Sequence, residues 1–387
     1  MTDTSFVRQM ATRFLVVGSL SLPAALAAQK VEVKERLEEL EVLARRDSND
    51  AAAQYNVAMG YMSKKRWGDA EQSLRNALAI EPRFAEAQLA LYVAHLQNDD
   101  YWRGVRKQKG DSARKAASEA ADRMFTRAFL IDPFVDVRIM ASLWRVWGTS
   151  RWAKGFDAFL EGRYEKAVEQ FDIYIADVTR DDPRDSVGTG VLWMHALAAA
   201  RLQRYAQAEE DVEALLRVTS LRVNPDSVDD VPLRANEYRY MLAAIKDRAG
   251  QPDQAVKLYQ EVLEHDVSNY MAHVQLARIH EARRDWPRAI AERRRAVETN
   301  PEDASLLTDL AVALGKSGDF KEAAETLLEA ERRNPRDVRP LFWRGIALIQ
   351  LGQQGEAKAT FQRFVAVAPP RYQQQVQSAK AQLEKLP

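Results

Sequence analysis

The sequence predicts an all-α protein built as a solenoid of paired helices, and three observations carry that expectation. Ala255, Ala289, Ala323 and Ala357 stand 34 residues apart. In phase with them run Leu242, Leu276 and Leu310, then the small residues Ala243, Ala277, Ala311 and Gly345, then Pro301, Pro335 and Pro369. Within each period, apolar residues recur at three- and four-residue spacing, as in Leu306, Leu307, Leu310, Ala311 and Leu314. That is the pattern of one buried helix face.

Each column has a physical reason. The columns of Ala277 and Ala289 mark places where two antiparallel helices cross closely, so a larger side chain there overpacks by roughly 1–3 kcal/mol. Gly250, Gly318 and Gly352, with Arg284 as the exception, suit a left-handed residue that ends the first helix. Trp286 and Phe320 cover the turn that follows. Proline cannot continue a helix, so Pro301, Pro335 and Pro369 separate one repeat from the next. A 34-residue period with these columns resembles the tetratricopeptide repeat (TPR). The resemblance implies a right-handed superhelix of about eight helix-turn-helix repeats with terminal capping helices, serving as a binding surface.

Towards the N-terminus the register loosens. One repeat from Ala51 fits, with Val57, Ala58, Tyr61, Trp67, Ala70, Leu74, Ala77 and Pro82. The next begins near Ala85 but reaches Ala121, Phe125, Ala128 and Pro133 late, which places extra length in the turn around 98–119. A third has Trp152, Gly155, Gly162, Tyr164, Ala167 and Phe171, preceded by an additional or extended helix over Val135–Trp147. A fourth has Leu192, Ala196, Ala199, Tyr205, Ala208 and Val212. Thr219–Leu233, rich in Ser, Pro, Asp and Asn, reads as a loop. The expected order is a leader over 1–27, a capping helix within 28–50, repeats over 51–218, a loop or hinge over 219–235, four in-phase repeats over 236–371 and a polar cap over 372–387.

The leader has its own signature. Arg8 and Arg13 precede the apolar run Phe14–Ala27, which closes with Ala25-Leu26-Ala27. That order of charge, apolar stretch and small residues is the order of a secretory signal peptide, with cleavage before Ala28. The run is shorter than the ~20 residues a spanning helix needs. An uncleaved anchor is the alternative. No cysteine follows the run, so a lipid-anchored form is ruled out, and the chain has no cysteine at all. An exported protein, periplasmic or secreted, is expected, with no integral span in the mature chain.

Composition limits the chemistry. The chain has 56 basic and 56 acidic residues, and loss of residues 1–27 leaves the balance within one charge of zero. No overall field favours nucleic acid or anionic lipid. Without cysteine and with 5 histidines, thiol chemistry and Cys-based metal sites are impossible. His273 and His280 share a helix face, yet they fall at packing positions. Arg284 stands where a zinc-protease helix opening His280-Glu281 requires its second histidine. No catalytic residue, cofactor or metal is expected.

Two basic stretches read as solvated surface. Arg293-Arg294-Arg295 lies beside Glu292 and Glu298. The insertion carries Tyr101 and Trp102 ahead of Arg103, Arg106, Lys107, Lys109, Arg114 and Lys115, either a soluble loop or a dock for headgroups, glycans or acidic proteins. The stronger functional signal comes through the resemblance. It implies that the second, fifth, ninth and twelfth positions of each first helix line a concave groove. Those positions give Tyr55, Met59 and Met62, then Trp152, Phe156 and Phe159, then Trp193 and Leu197, Tyr240, and finally Phe342, Ile346 and Ile349. Such a lining suits capture of a protein or peptide partner by aromatic anchors. Stacking of a glycan or cell-wall polymer is the competing use. A packing role for Trp144, Trp147 and Trp152 against Val135–Trp147 is the structural alternative.

Overall fold

Two helices joined by a tight turn are the unit throughout. The computed structural model describes residues 32–107, 111–143, 151–180, 187–220 and 233–386, so the leader lies outside the described residues. Among the described residues are nineteen α-helices and no strand. A capping helix, α1 (Glu32–Arg46), comes first, followed by α2 (Ala51–Ser63) and α3 (Trp67–Ile80). Next are α4 (Ala85–Gln97), the short α5 (Asp99–Lys107) and the long α6 (Asp111–Ile131). After a 3-10 turn at Val137–Ser142 come α7 (Arg151–Leu160) with α8 (Tyr164–Val178), and α9 (Thr189–Arg201) with α10 (Tyr205–Ser220). The last four pairs are α11 (Ala235–Arg248) with α12 (Pro252–His265), α13 (Tyr270–Ala282) with α14 (Trp286–Thr299), α15 (Ser305–Ser317) with α16 (Phe320–Arg333), and α17 (Arg339–Gln350) with α18 (Gln354–Val367). The chain closes with α19 (Gln373–Leu383).

The turn inside a pair is chemically uniform. Gly162, Gly250, Gly318 and Gly352 have φ of 73°, 76°, 98° and 73°, and at the same place Lys65, Gln203 and Arg284 have φ of 59°, 60° and 59°. Each of these turns is closed by a backbone bond that reaches back five residues, such as Asp319 N–H to Leu314 O at 2.9 Å and Asp285 N–H to His280 O at 2.9 Å. That is the Schellman closure of a helix end. Asp285 and Asp319 then cap the second helix through the N–H groups of Arg288 and Glu322.

Side-chain volume sets how closely paired helices approach. Ala243, Ala277 and Ala311 are buried, as are Ala255, Ala289, Ala323 and Ala357. Where the facing residue sixteen positions on is phenylalanine, the column holds glycine instead. A Cβ on Gly345 would lie 2.6 Å from the Phe361 ring, and one on Gly155 would lie 2.6 Å from the Phe171 ring. Close-packed interiors leave no room for that methyl group.

Both caps are in place. Leu37 of α1 packs so closely on α2 that a Cβ on Gly60 would meet its Cδ1 at 2.7 Å, and the Tyr61 hydroxyl donates to Glu41 at 2.9 Å. At the other end, Ala379 is buried with Phe361 and Phe364, flanked by Val376 and Leu383.

Three expectations change. The extra length at 98–119 is not a loop: it forms α5 and adds turns to the start of α6, with 108–110 outside the described residues. A helix over Val135–Trp147 is not found; the described part is the 3-10 turn, and Trp144 and Trp147 lie outside it. Asp132 explains the change of direction, because it accepts from Phe134 N–H at 3.0 Å across Pro133. Finally, α10 runs on to Ser220 and packs on α11, so the stack is continuous on either side of the undescribed residues 221–232.

Helix α6 packs on α4 and reaches α11, and the 3-10 turn contacts α7, whose own partner is α8. An N-terminal arm, α1 to the 3-10 turn, and a stack running from α7 to α19 thus share one buried core that extends from Ala51 to Leu306.

Candidate functional site

The candidate site is the inner face of the stack, built from the first helices of the pairs, and the arm covers it at α9 and α11. Helix α6 lies along α11. Asp122 is near enough to Arg234 to feel its charge, and two turns later Leu130 O accepts from the Tyr240 hydroxyl at 2.8 Å. Just past the helix, Asp132 pairs with Arg248 at 3.4 Å, and the Arg248 guanidinium stands 3.8 Å over the Phe134 ring. Arg201 donates to Phe134 O at 2.5 Å. In the middle of α6, Phe125 meets Trp193 edge-on at 6.0 Å and Tyr92 at 5.4 Å. The result is an apolar seat formed by α9 and α11. Burial first of all drives the Tyr240 hydroxyl pKa well above its ordinary range, so it stays a neutral donor.

Further along, contact between arm and stack turns polar. Arg83, in the turn between α3 and α4, pairs with Asp309 at 2.7 Å and lies 3.5 Å from Asp303. It also donates to Ser305 Oγ at 2.9 Å. Asn334 donates to Ala79 O at 3.1 Å, and Arg336 donates to Ser48 O at 2.9 Å. Arg371 pairs with Glu81 at 3.2 Å and Asp50 at 3.4 Å. These contacts tie residues 48–83 to residues 303–371, so the far end of the stack holds the start of the arm. Burial pushes the Asp309 carboxyl up, but Arg83, Arg293 and Arg339 outweigh it and hold its pKa below the usual carboxylate range.

The predicted lining separates into two groups. Met62, Phe156, Phe159, Trp193, Leu197, Tyr240 and Phe342 are buried. Tyr55, Met59, Trp152, Ile346 and Ile349 are half-buried. Several serve the core rather than an open groove, contrary to the implied positions. Phe342 packs on Phe361 at 6.2 Å and Phe364 at 5.4 Å within its own pair, and Phe159 packs on Tyr164 at 5.6 Å. Trp193 and Tyr240 are the two that α6 covers. Tyr55 lies 5.0 Å from Phe84, and Trp152 lies 6.4 Å from Phe156.

The polar candidates resolve as structure. Arg293 is buried rather than solvated: it joins Glu281 at 2.8 Å and Asp309 at 3.2 Å, whereas Arg294 and Arg295 stay on the surface with Glu322 and Glu292. A signal for this was present, since Arg293 is in phase with Tyr259, Leu327 and Phe361, the residues that face the small column. His273 meets Glu292 at 2.7 Å, a partner sixteen and more residues away in sequence that spacing on one helix cannot show. Burial first lowers the His280 pKa, with Asp285 and Glu292 opposing it. Trp102 of the insertion donates to His95 O at 2.9 Å and Tyr101 packs on the His95 ring at 4.2 Å, so this aromatic pair closes over α4. Among the described residues no cluster of three or more His, Asp or Glu side chains is placed to hold a metal ion. No helix among them is long and apolar enough to cross a membrane.

With this architecture in view, residues 240–304 and 308–384 match the family model of the tetratricopeptide repeat. Over these residues the chain carries tetratricopeptide repeats. No curated protein sequence matches it. Among solved structures, it is similar to the C-terminal part of a TPR repeat-containing protein from Cytophaga hutchinsonii, at 18% identity over 58% of this chain and 83% of that one, with a TM-score of 0.46. It is also similar to yeast Tom70, at 14% identity over 92% and 93% of the two chains, TM-score 0.41. MamA from Desulfovibrio magneticus RS-1 is 14% identical over 46% of this chain and 94% of that one, TM-score 0.38.

Proposed function

We propose that this chain is an exported scaffold that binds a segment of a partner protein on the inner face of its stack, in assembly, secretion or export at a cell envelope. One observation carries the reading: the face built by α9 and α11 seats a helix, α6, through Phe125, Trp193 and Tyr240. A surface that holds one amphipathic helix through aromatic anchors has the chemistry to hold another. The aromatics favour a peptide over a glycan. Trp193 and Phe125 meet edge-on inside an apolar seat with Leu197 and Met241, rather than forming a flat exposed ladder.

Among the half-buried positions Tyr55, Met59, Trp152, Ile346 and Ile349, the aromatic Tyr55 and Trp152 are the anchors left for a partner to reach. Affinity capture from the native envelope, with the eluate identified by mass spectrometry, tests the proposal. Tyr55→Ala with Trp152→Ala is expected to weaken capture by a factor on the order of ten or more, since truncating an anchor commonly costs about 2 kcal/mol. Unchanged capture at unchanged helix content removes the groove from the function. Export rests on Arg8, Arg13 and the run Phe14–Ala27. N-terminal sequencing of the exported protein is expected to begin at or near Ala28, and retention of Met1 in a membrane fraction would overturn export by cleavage.

A further inference from the structure

The seam where the first helices of the chain meet the last ones carries a surface unlike the inner face. Helix α16 stops at Arg333, just ahead of Pro335, which cannot continue it. In the turn that follows, Arg336 donates to Ser48 O at 2.9 Å and to Asn49 Oδ1 at 3.5 Å. Beside this bridge lie two cavities, one of about 450 Å³ that reaches Asn49 and one of about 400 Å³ that reaches Ser48 and Arg336. Both have the size of ligand pockets, roughly 300–1,000 Å³. The larger lies between the second helices α16 and α18, with Leu341 from the start of α17. Its walls are apolar at Leu328, Pro335, Ala366 and Val367, and Val367 is 47% exposed. The smaller is polar, with Gln54, Ser73 and Asn76 near Arg45 and Arg336.

The charges around these cavities do not balance. Glu331 is taken up by Arg363, and Glu41 by the Tyr61 hydroxyl at 2.9 Å and Arg66 at 3.8 Å. Arg45, Arg332 and Arg336 are left over, and among the described residues none of them has a carboxylate partner. On a chain with no net charge, that excess is a local attraction for an anion. We propose that the seam docks an acidic segment of a partner protein. An apolar side chain of the segment enters the larger cavity, and its carboxylates meet Arg45, Arg332 and Arg336 as forked, charge-assisted pairs. Two cavities of opposite character side by side call for a ligand that presents an apolar group and carboxylates in succession, as a peptide does. A lipid surface would meet only the charges and leave the apolar walls empty. The site is made jointly by residues 41–76 and 328–367, and it uses none of the inner-face aromatics. It is therefore a second surface, independent of the scaffold reading of the first.

The probe is a short labelled peptide of alternating leucine and glutamate, blocked at both ends and titrated into the full chain by fluorescence anisotropy. It is expected to bind, and to bind less tightly as salt rises from about 0.05 M to about 0.5 M. Arg45→Glu with Arg332→Glu, both at exposed positions, should weaken it by about tenfold or more. Ala366→Trp fills the larger cavity from an exposed position and should weaken it without altering a charge. Tyr55→Ala with Trp152→Ala should leave it unchanged. Absence of binding overturns the proposal, as does equal binding of a peptide with lysine in place of glutamate. Binding that survives both seam variants, or that is lost with Tyr55 and Trp152, overturns it too. So does attachment to phosphatidylglycerol vesicles that the arginine variant abolishes, with no peptide binding, since the charges then serve a membrane. If Ala366→Trp does not fold, judged by helix content, the charge reversal decides.

Discussion

At the residue scale, the left-handed turn position is where local chemistry and fold conflict. Among the described residues seven turns have a positive φ, and only four of them have glycine. Arg284, at φ 59°, is exposed and sits in phase with Gly250, Gly318 and Gly352. A left-handed L-residue costs roughly 1–2 kcal/mol. Glycine removes that strain but loosens the unfolded chain by about 0.4–1 kcal/mol. Arg284→Gly is therefore expected to raise stability by about 0.5–1 kcal/mol, read as a higher urea midpoint at constant slope. A lower midpoint would show that the Arg284 side chain contributes more than its backbone costs.

Asp309 is one of the carboxylates that contribute to the pH dependence. Its folded pKa lies below the usual value because Arg83, Arg293 and Arg339 outweigh burial, with Asp303 on the opposing side of Arg83. A depressed carboxylate pKa contributes stability that is complete above the unfolded value of about 3.9 and is lost as pH falls through the folded one. The parent should thus lose Tm steeply below about pH 4. Asp309→Asn should start lower and fall less over the same window. Parallel curves would assign the acid loss to other carboxylates.

At the element scale, helix pairing is a matter of one methyl group. Gly345→Ala places a Cβ 2.6 Å from the fully buried Phe361 ring, which has nowhere to move. The expected loss is about 1–3 kcal/mol, measured by denaturant unfolding. Gly345→Ala with Phe361→Leu recreates the combination of Ala311 and Leu327 and should recover part of it. Failure of the second change to help would mean that the spacing of α17 and α18 is set by other contacts.

This scale also shows what the chain disclosed in advance. The four in-phase pairs, their turns and both caps follow from Ala323, Gly318, Pro335 and their equivalents, because each reports a constraint between residues close in sequence. Helix α5 was obscured by Arg103 and its basic neighbours, which have no apolar stripe long enough to announce a helix. The lining was obscured for another reason. Position in the repeat says which way Tyr240 points but not that Leu130, more than a hundred residues earlier, covers it. The pair of Arg83 and Asp309 left no trace, since the two share no period and meet only through the curvature of the whole stack.

At the scale of the molecule, the contacts between residues 48–83 and 303–371 change how stability is shared. In an open solenoid each repeat contacts its neighbours alone, and damage stays local. Here Asn334 and Arg336, in the turn after α16, hold the backbone at Ala79, Ile80 and Ser48. Ala323→Leu overpacks α16 by roughly 1–3 kcal/mol. Hydrogen exchange should then lose protection around Ile80–Phe84 as well as along α15 to α18, while α8 and α9 change little. Protection lost only in the C-terminal pairs would mean that these contacts do not couple the ends.

The bond between Asp50 and Arg371 has one more consequence. A helical-repeat stack pulled from its two ends ordinarily behaves as a spring, yielding at low force and lengthening smoothly. With residues 48–83 fastened to residues 303–371, a load applied at the termini falls first on Arg83, Arg336 and Arg371, and the coils between them remain slack. Such a chain is stiff until its fastening gives way and compliant afterwards.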